Sequence, residues 1–272
     1  MQAISHLHGC LARRAVVRGL SSALLCSAWP ALQAQPAPVS PASAEALNHA
    51  ARFRFLSQRM AKAYCQTFLA VHPSDADAVL AASRSLARAS FEALGKEAWS
   101  ASMGQLAEVR RMWDAMDRLI VQPPTRESVA AVSAQADILL RAAEGLTEAV
   151  QSISQHRAHQ WINTAGRQRL LSQRLAKNYF LAASGLDSKD VRDQRTADAA
   201  EFSRGMAHLA GAPVSSARIR DTLASGQMQW VFFDAALARE PDMRGLRAVA
   251  TTSERLLEVL DSLTSQYEVV PR

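Results

Sequence analysis

The sequence is poor in the residues that build sheets and tight turns. Of 272 positions, 11 are glycine, 10 proline and 3 tyrosine, and aromatic residues make up 6%. Sandwiches and barrels need frequent turn residues and β-branched or aromatic strands, so this poverty argues against both. Cysteine is equally scarce, with Cys10, Cys26 and Cys65. No Cys-x-x-Cys-His run is present, which excludes a covalently attached c-type haem. After residue 34 no apolar run is long enough to span a bilayer. What is abundant is alanine and apolar residues generally: 49% are hydrophobic against 21% charged, enough to bury a core. Together these features predict an all-α fold.

The net charge of +6 overstates how basic the folded part is. Arg13, Arg14 and Arg18 stand in an N-terminal segment without acidic residues. Without residues 1–34, 28 basic side chains face 25 acidic ones, and the two signs are interspersed. Nucleic acid is therefore not an expected partner. The segment has the layout of an export signal: three arginines, an apolar stretch from about Gly19 to Leu32, and a small-residue exit at Ala34. Arg13-Arg14 also suggests the twin-arginine type. Residues 1–34 are expected to be a signal peptide and 35–42 (Gln-Pro-Ala-Pro-Val-Ser-Pro-Ala) a flexible tether, giving a periplasmic protein. The alternative is an uncleaved N-terminal anchor. Cys10 and Cys26 would leave with the signal, and Cys65 would be a small buried residue.

The most informative feature is an internal repeat. Asn48-His-Ala-Ala-Arg52-Phe-Arg54-Phe-Leu-Ser57-Gln58-Arg59-Met-Ala-Lys62-Ala-Tyr64 returns 115 positions later. The second copy is Asn163-Thr-Ala-Gly-Arg167-Gln-Arg169-Leu-Leu-Ser172-Gln173-Arg174-Leu-Ala-Lys177-Asn-Tyr179, identical at 11 of 17 positions. At an offset of 117, Trp113 and Asp117 match Trp230 and Asp234, and Leu139-Leu140 matches Leu256-Leu257. Two modules follow, 43–157 and 158–268, each an antiparallel four-helix bundle with short loops. Prolines at 73, 123, 124, 213 and 241 mark the loops, and Thr125 and Asp242 suit helix N-caps. Between Glu127 and Ala183 there is no proline, and the only glycines are Gly145 and Gly166. A continuous helix is therefore expected to join the modules and stack them end to end. A break near Gln155–His159 would instead set them side by side with their first helices parallel.

On a helical wheel at 100° per residue, Arg167 and Arg174 fall on the polar side of the repeated helix, whereas Arg169 falls in its apolar arc. Ile162, Ala165 and Ala176 line it; in the first module Leu47, Ala50 and Ala61 line Arg54. No carboxylate stands at i±3 or i±4 of either arginine. A buried guanidinium needs an anionic partner to offset its desolvation. Arg54 and Arg169 are thus candidate ligand-binding residues for a small anion held between planar N–H forks. Another reading pairs each with an acidic residue from a different helix.

At this motif the sequence resembles a known family. The run Ala165-Gly-Arg-Gln-Arg-Leu-Leu-Ser-Gln-Arg-Leu-Ala-Lys177 is similar to the first helix of the sensor domains of PilJ-type chemotaxis transducers. More distantly, it resembles nitrate/nitrite sensor kinases of the NarX/NarQ type. The resemblance extends to the later Trp and Asp of the third helix and spans residues 43–268. It implies a periplasmic four-helix sensor bundle. In the nitrate sensors one arginine from each of two subunits grips a single anion, and by alignment that arginine falls on Arg54 and Arg169. Asn48, Ser57, Gln58, Arg59, Asn163, Ser172, Gln173 and Arg174 would be supporting polar groups. The chain departs from those sensors at Arg52 and Arg167, which are additions, and in having no flanking membrane helix after residue 34.

The expected function is an exported, non-enzymatic binding protein for a small oxyanion, nitrate or nitrite, that passes its occupancy to a membrane sensor or transporter. End-to-end modules would need a second chain to complete each site, giving a homodimer; side-by-side modules could form one pseudo-symmetric site within a chain. A structural or adaptor bundle that binds only a protein partner is the alternative. No nucleophile and base, phosphate loop or paired acids suggest catalysis. No cofactor is implied, and His156 with His159 lacks further metal ligands. Trp113 and Trp230 read as core anchors.

Overall fold

A computed structural model describes residues 42–97 and 99–271. The expected leader and nearly all of the tether lie outside these residues. Among the described residues there are eight helices and no strand. They are α1 (Ala44–Phe68), α2 (Pro73–Glu97), α3 (Ser100–Ile120), α4 (Arg126–Ser152), α5 (His159–Ala183), α6 (Lys189–Ala210), α7 (Ala217–Leu237) and α8 (Met243–Glu268).

Local chemistry sets most of the ends. Ser43, Thr125, Ser188, Ser216 and Asp242 each accept a backbone N–H from the first turn of the helix that follows. That satisfies donors no intrahelical carbonyl can reach. Pro73 sits at the first position of α2, where its missing N–H costs nothing. The α5–α6 turn uses Gly185 at φ 75°, a conformation that suits a residue without Cβ.

α1 packs on α2 and α4, and α3 packs on α4; α5, α6, α7 and α8 repeat the pattern. Aromatic clusters anchor both modules: Phe53, Phe91 and Trp113 in the first, Phe202, Trp230 and Phe233 in the second. Tyr64 and Tyr179, which end the repeated motif, play matching roles. Tyr64 Oη donates to the Gln122 carbonyl and Tyr179 Oη to those of Arg239 and Glu240, tying each first helix to the loop before its fourth.

The modules lie side by side, and the expected continuous helix does not form. α4 ends at Ser152 and α5 starts at His159. The peptide groups a through-helix would use are engaged elsewhere. The Ile153 carbonyl accepts from Ala42 N at 3.0 Å, and the Ala158 N–H donates to His156 Nδ1 at 3.2 Å. The reversal lets α1 pack along α5, the most extensive helix pairing in the fold. α1 and α5 run parallel, since both are antiparallel to α8. Along α5, Arg169 meets Asp261 and Gln173 meets Ser253; along α1, Asn48 meets Glu268 and Lys62 meets Ser253. Twenty of the 25 residues of α1 are buried, including polar ones that a two-sided helix would leave in water. Side-by-side packing also removes the geometric need for a second chain.

Candidate functional site

Arg54 on α1 and Arg169 on α5 meet at the seam between the modules. Both are buried, at 5% and 0% exposure. A Cβ placed on Gly166 would lie 3.0 Å from Arg54 Nη2, 3.5 Å from Arg169 Nη2 and 3.4 Å from Ala51 Cβ. Gly166 is the repeat equivalent of Ala51, so small residues on both helices make room for two like charges. Each guanidinium reaches to the other module at equivalent positions: Arg54 Nη2 donates to the Asn163 carbonyl at 3.4 Å, and Arg169 Nη2 to Asn48 Oδ1 at 2.5 Å.

The pseudo-symmetry ends at the carboxylates. Arg169 Nη1 binds Asp261 at 2.5 Å, and its guanidinium carbon lies 4.9 Å from the Phe55 ring centroid. The residue equivalent to Asp261 is Glu144, but Glu144 is held by Arg167 at 2.6 Å. Arg167 also takes Glu201 at 2.6 Å. Arg52, the counterpart of Arg167, instead contacts His49 Nδ1 at 3.1 Å. Arg54 is left with no carboxylate within 4 Å among the described residues, and its buried Nε has no partner. Burial, and then the charges of Arg167 and Arg169, push its guanidinium down to about 9 against the weaker pull of Glu144 and Glu148. Burial lowers Arg169 too, with Asp261 pulling the other way.

A cavity of about 470 Å³ opens beside Arg54, walled by α4, α5 and α6. Asn163, Gln168 and Arg167 line it from α5, Glu144 and Glu148 from α4, and Arg204 from α6. His208, whose ring lies 4.7 Å from Trp161, stands at its edge. No group of three or more His, Cys, Asp or Glu residues suited to a metal ion occurs among the described residues. No helix there is long and apolar enough to cross a membrane.

The other polar residues of the motif serve the fold around this point. Ser57 and Ser172 donate to the carbonyls of Arg54 and Arg169, at 2.7 and 2.8 Å. Gln58 donates to the Ala136 carbonyl on α4, and Gln173 to that of Ser253 on α8. Arg174 pairs with Asp198 on α6, and Arg59 with Glu254 of the other module. Thus the structure brings Arg54, Arg169, Asn48 and Asn163 together at the seam, but only Arg54 and Asn163 line the cavity; Arg169, Asn48, Ser57, Gln58, Arg59, Ser172, Gln173 and Arg174 do not. Sequence reasoning missed Glu144, Glu148, Gln168 and Arg204. One signal was available, because Glu144 and Asp261 are acidic at equivalent repeat positions.

Residues 151–231 match the family model for the N-terminal region of type IV pili methyl-accepting chemotaxis transducers, PilJ. The stretch begins at the end of α4, contains α5 and α6 and covers most of α7, so it includes Arg169 and the α5 and α6 walls of the cavity. This part of the chain is thereby similar to a transducer's sensor-type domain. Residues 43–150, nearly all of the first module, lie outside the matched stretch. No curated protein and no solved structure matches the chain.

Proposed function

We propose that this chain is an exported, non-enzymatic binding protein that senses a small planar oxyanion at Arg54 and reports its occupancy to a membrane sensor or transporter. One observation carries the reading. At the module seam the buried Arg54 guanidinium, with no carboxylate within 4 Å among the described residues, faces a cavity, while its repeat counterpart is paired with Asp261. A planar oxyanion would supply the missing charge through two parallel N–H···O bonds, which are stronger than neutral ones. A side-by-side pair of modules within one chain then does what two subunits do in the two-subunit sensors this sequence resembles. The leader-like segment at residues 1–34 supports export. Nitrate and nitrite are the oxyanions to which the resemblance points.

Thermal unfolding of the purified protein tests this with nitrate, nitrite, acetate, sulfate and chloride at constant ionic strength. A ligand that binds only the folded state stabilises it by about 2.7 kcal/mol at 100-fold excess over Kd. We expect a planar oxyanion to raise the midpoint and Arg54→Ala to abolish the rise. No anion-specific shift would overturn the reading and favour the adaptor bundle.

A further inference from the structure

Two acceptors beside Arg54 narrow the ligand class, given the oxyanion reading above. Asn163 Oδ1 and Gln168 Oε1 are buried without a partner and belong to residues lining the same cavity as Arg54 Nε, itself unpartnered. Gln168 is 1% exposed. Its Nε2 is spent on the Thr164 carbonyl at 3.4 Å, and Asn163 Nδ2 on Gln151 Oε1 at 2.6 Å. One unsatisfied donor and two unsatisfied acceptors therefore belong to three side chains that wall one cavity. Nitrate, nitrite and sulfate only accept hydrogen bonds, so they would leave both oxygens desolvated and unpaired.

Charge and size point the same way. Glu144 and Glu201 are occupied by Arg167, but the exposed Glu148 carboxylate on the rim makes no ion pair among the described residues. Arg204, exposed in the same lining, likewise makes no ion pair among the described residues, so the cavity offers a free charge of each sign to a ligand that carries both. A space of about 470 Å³ is also far larger than a triatomic or tetratomic anion needs and lies in the usual range for small organic ligands.

We infer that the ligand is a small zwitterion of the free α-amino-acid class. Its carboxylate sits on Arg54, and its ammonium donates to Asn163 Oδ1 and Gln168 Oε1 and faces Glu148. Such a ligand brings no net charge into the seam and satisfies all three orphan atoms.

Calorimetric titration of the full protein with each of the common amino acids, and with nitrate and nitrite, tests the inference. The tightest-binding amino acid is then compared with its deaminated acid, as alanine with propionate. We expect at least tenfold weaker binding without the ammonium. Glu148→Gln should weaken the amino acid severalfold and leave the deaminated acid unchanged, a difference that a merely structural role for Glu148 would not produce. Nitrate, nitrite or the deaminated acid binding as tightly as every amino acid would overturn the zwitterion and leave the oxyanion reading standing. Absence of binding by all of these probes would overturn both.

Discussion

Replacing Arg54 with methionine removes a buried charge that has no carboxylate partner, whereas the same change at Arg169 breaks a pair. The two equivalent substitutions should therefore act oppositely on the empty protein. A buried charge exchanged for an apolar side chain of similar reach is commonly neutral or stabilising. We expect Arg54→Met to shift stability by about 0 to 2 kcal/mol in the favourable direction. Arg169→Met should cost about 1–3 kcal/mol, because Asn48 Oδ1 loses its donor inside the seam. The loss at Asp261 adds less, since that side chain is 44% exposed and water can replace the arginine. Urea unfolding of both variants without added anions checks the contrast; equal losses at the two positions would remove the asymmetry on which the site rests. The buried position of both arginines was legible in the sequence, because the wheel places each among small apolar residues. Which one keeps a carboxylate was not legible. That depends on Arg167 reaching across to Glu144 while Arg52 turns to His49, a choice made between helices.

At the scale of elements, the pairing of α1 with α5 depends on Gly166. Leucine there would press on the Arg54 guanidinium and Ala51 together. Overpacking a closely fitted seam costs about 1–3 kcal/mol, and Gly166→Leu should also abolish anion binding by displacing Arg54. Denaturant unfolding and calorimetry read the two effects separately; retained affinity would place the ligand away from the seam. The helices themselves were largely written in proline positions, cap residues and apolar periodicity. The α4–α5 junction was not. Nothing between Glu127 and Ala183 breaks a helix by propensity, and the break is held by the His156 ring and by an N–H donated from Ala42.

At the scale of the whole molecule, the modules are tied by exchanged ion pairs. Lys62 of the first module binds Glu254 and Ser253 of the second, and Lys177 of the second binds Asp137 of the first at 2.8 Å. Asp137 and Glu254 are equivalents at the repeat offset of 117, so the exchange is reciprocal. Both ammonium groups are almost wholly buried, and burial lowers both of them. Burial disfavours the charged Glu254 carboxyl, yet Lys62 and Arg59 outweigh it and hold it down to about 2. A carboxyl depressed from 4.5 stabilises the fold fully above that value, and its contribution is lost as pH falls from about 4.5 toward 2. Glu254→Gln should cost about 3 kcal/mol at pH 7, by stranding Lys62 and Arg59, and should flatten the stability profile over that acid window. Urea midpoints between pH 2 and 7 check this; an unchanged acid slope would show that the pair does not couple the modules.

Apolar spacing, cap residues and the 115-residue repeat by themselves determined that this chain makes two similar sets of four helices and buries an arginine at the same place in each. Those are consequences of local periodicity, which a linear pattern records in full. Only the tertiary structure decided that the modules lie side by side, that α1 and α5 run parallel, and that one arginine is paired while its twin faces a cavity. These outcomes turn on distances between side chains far apart in the chain. Two stretches of sequence identical at 11 of 17 positions therefore hold different partners once each is packed against different neighbours.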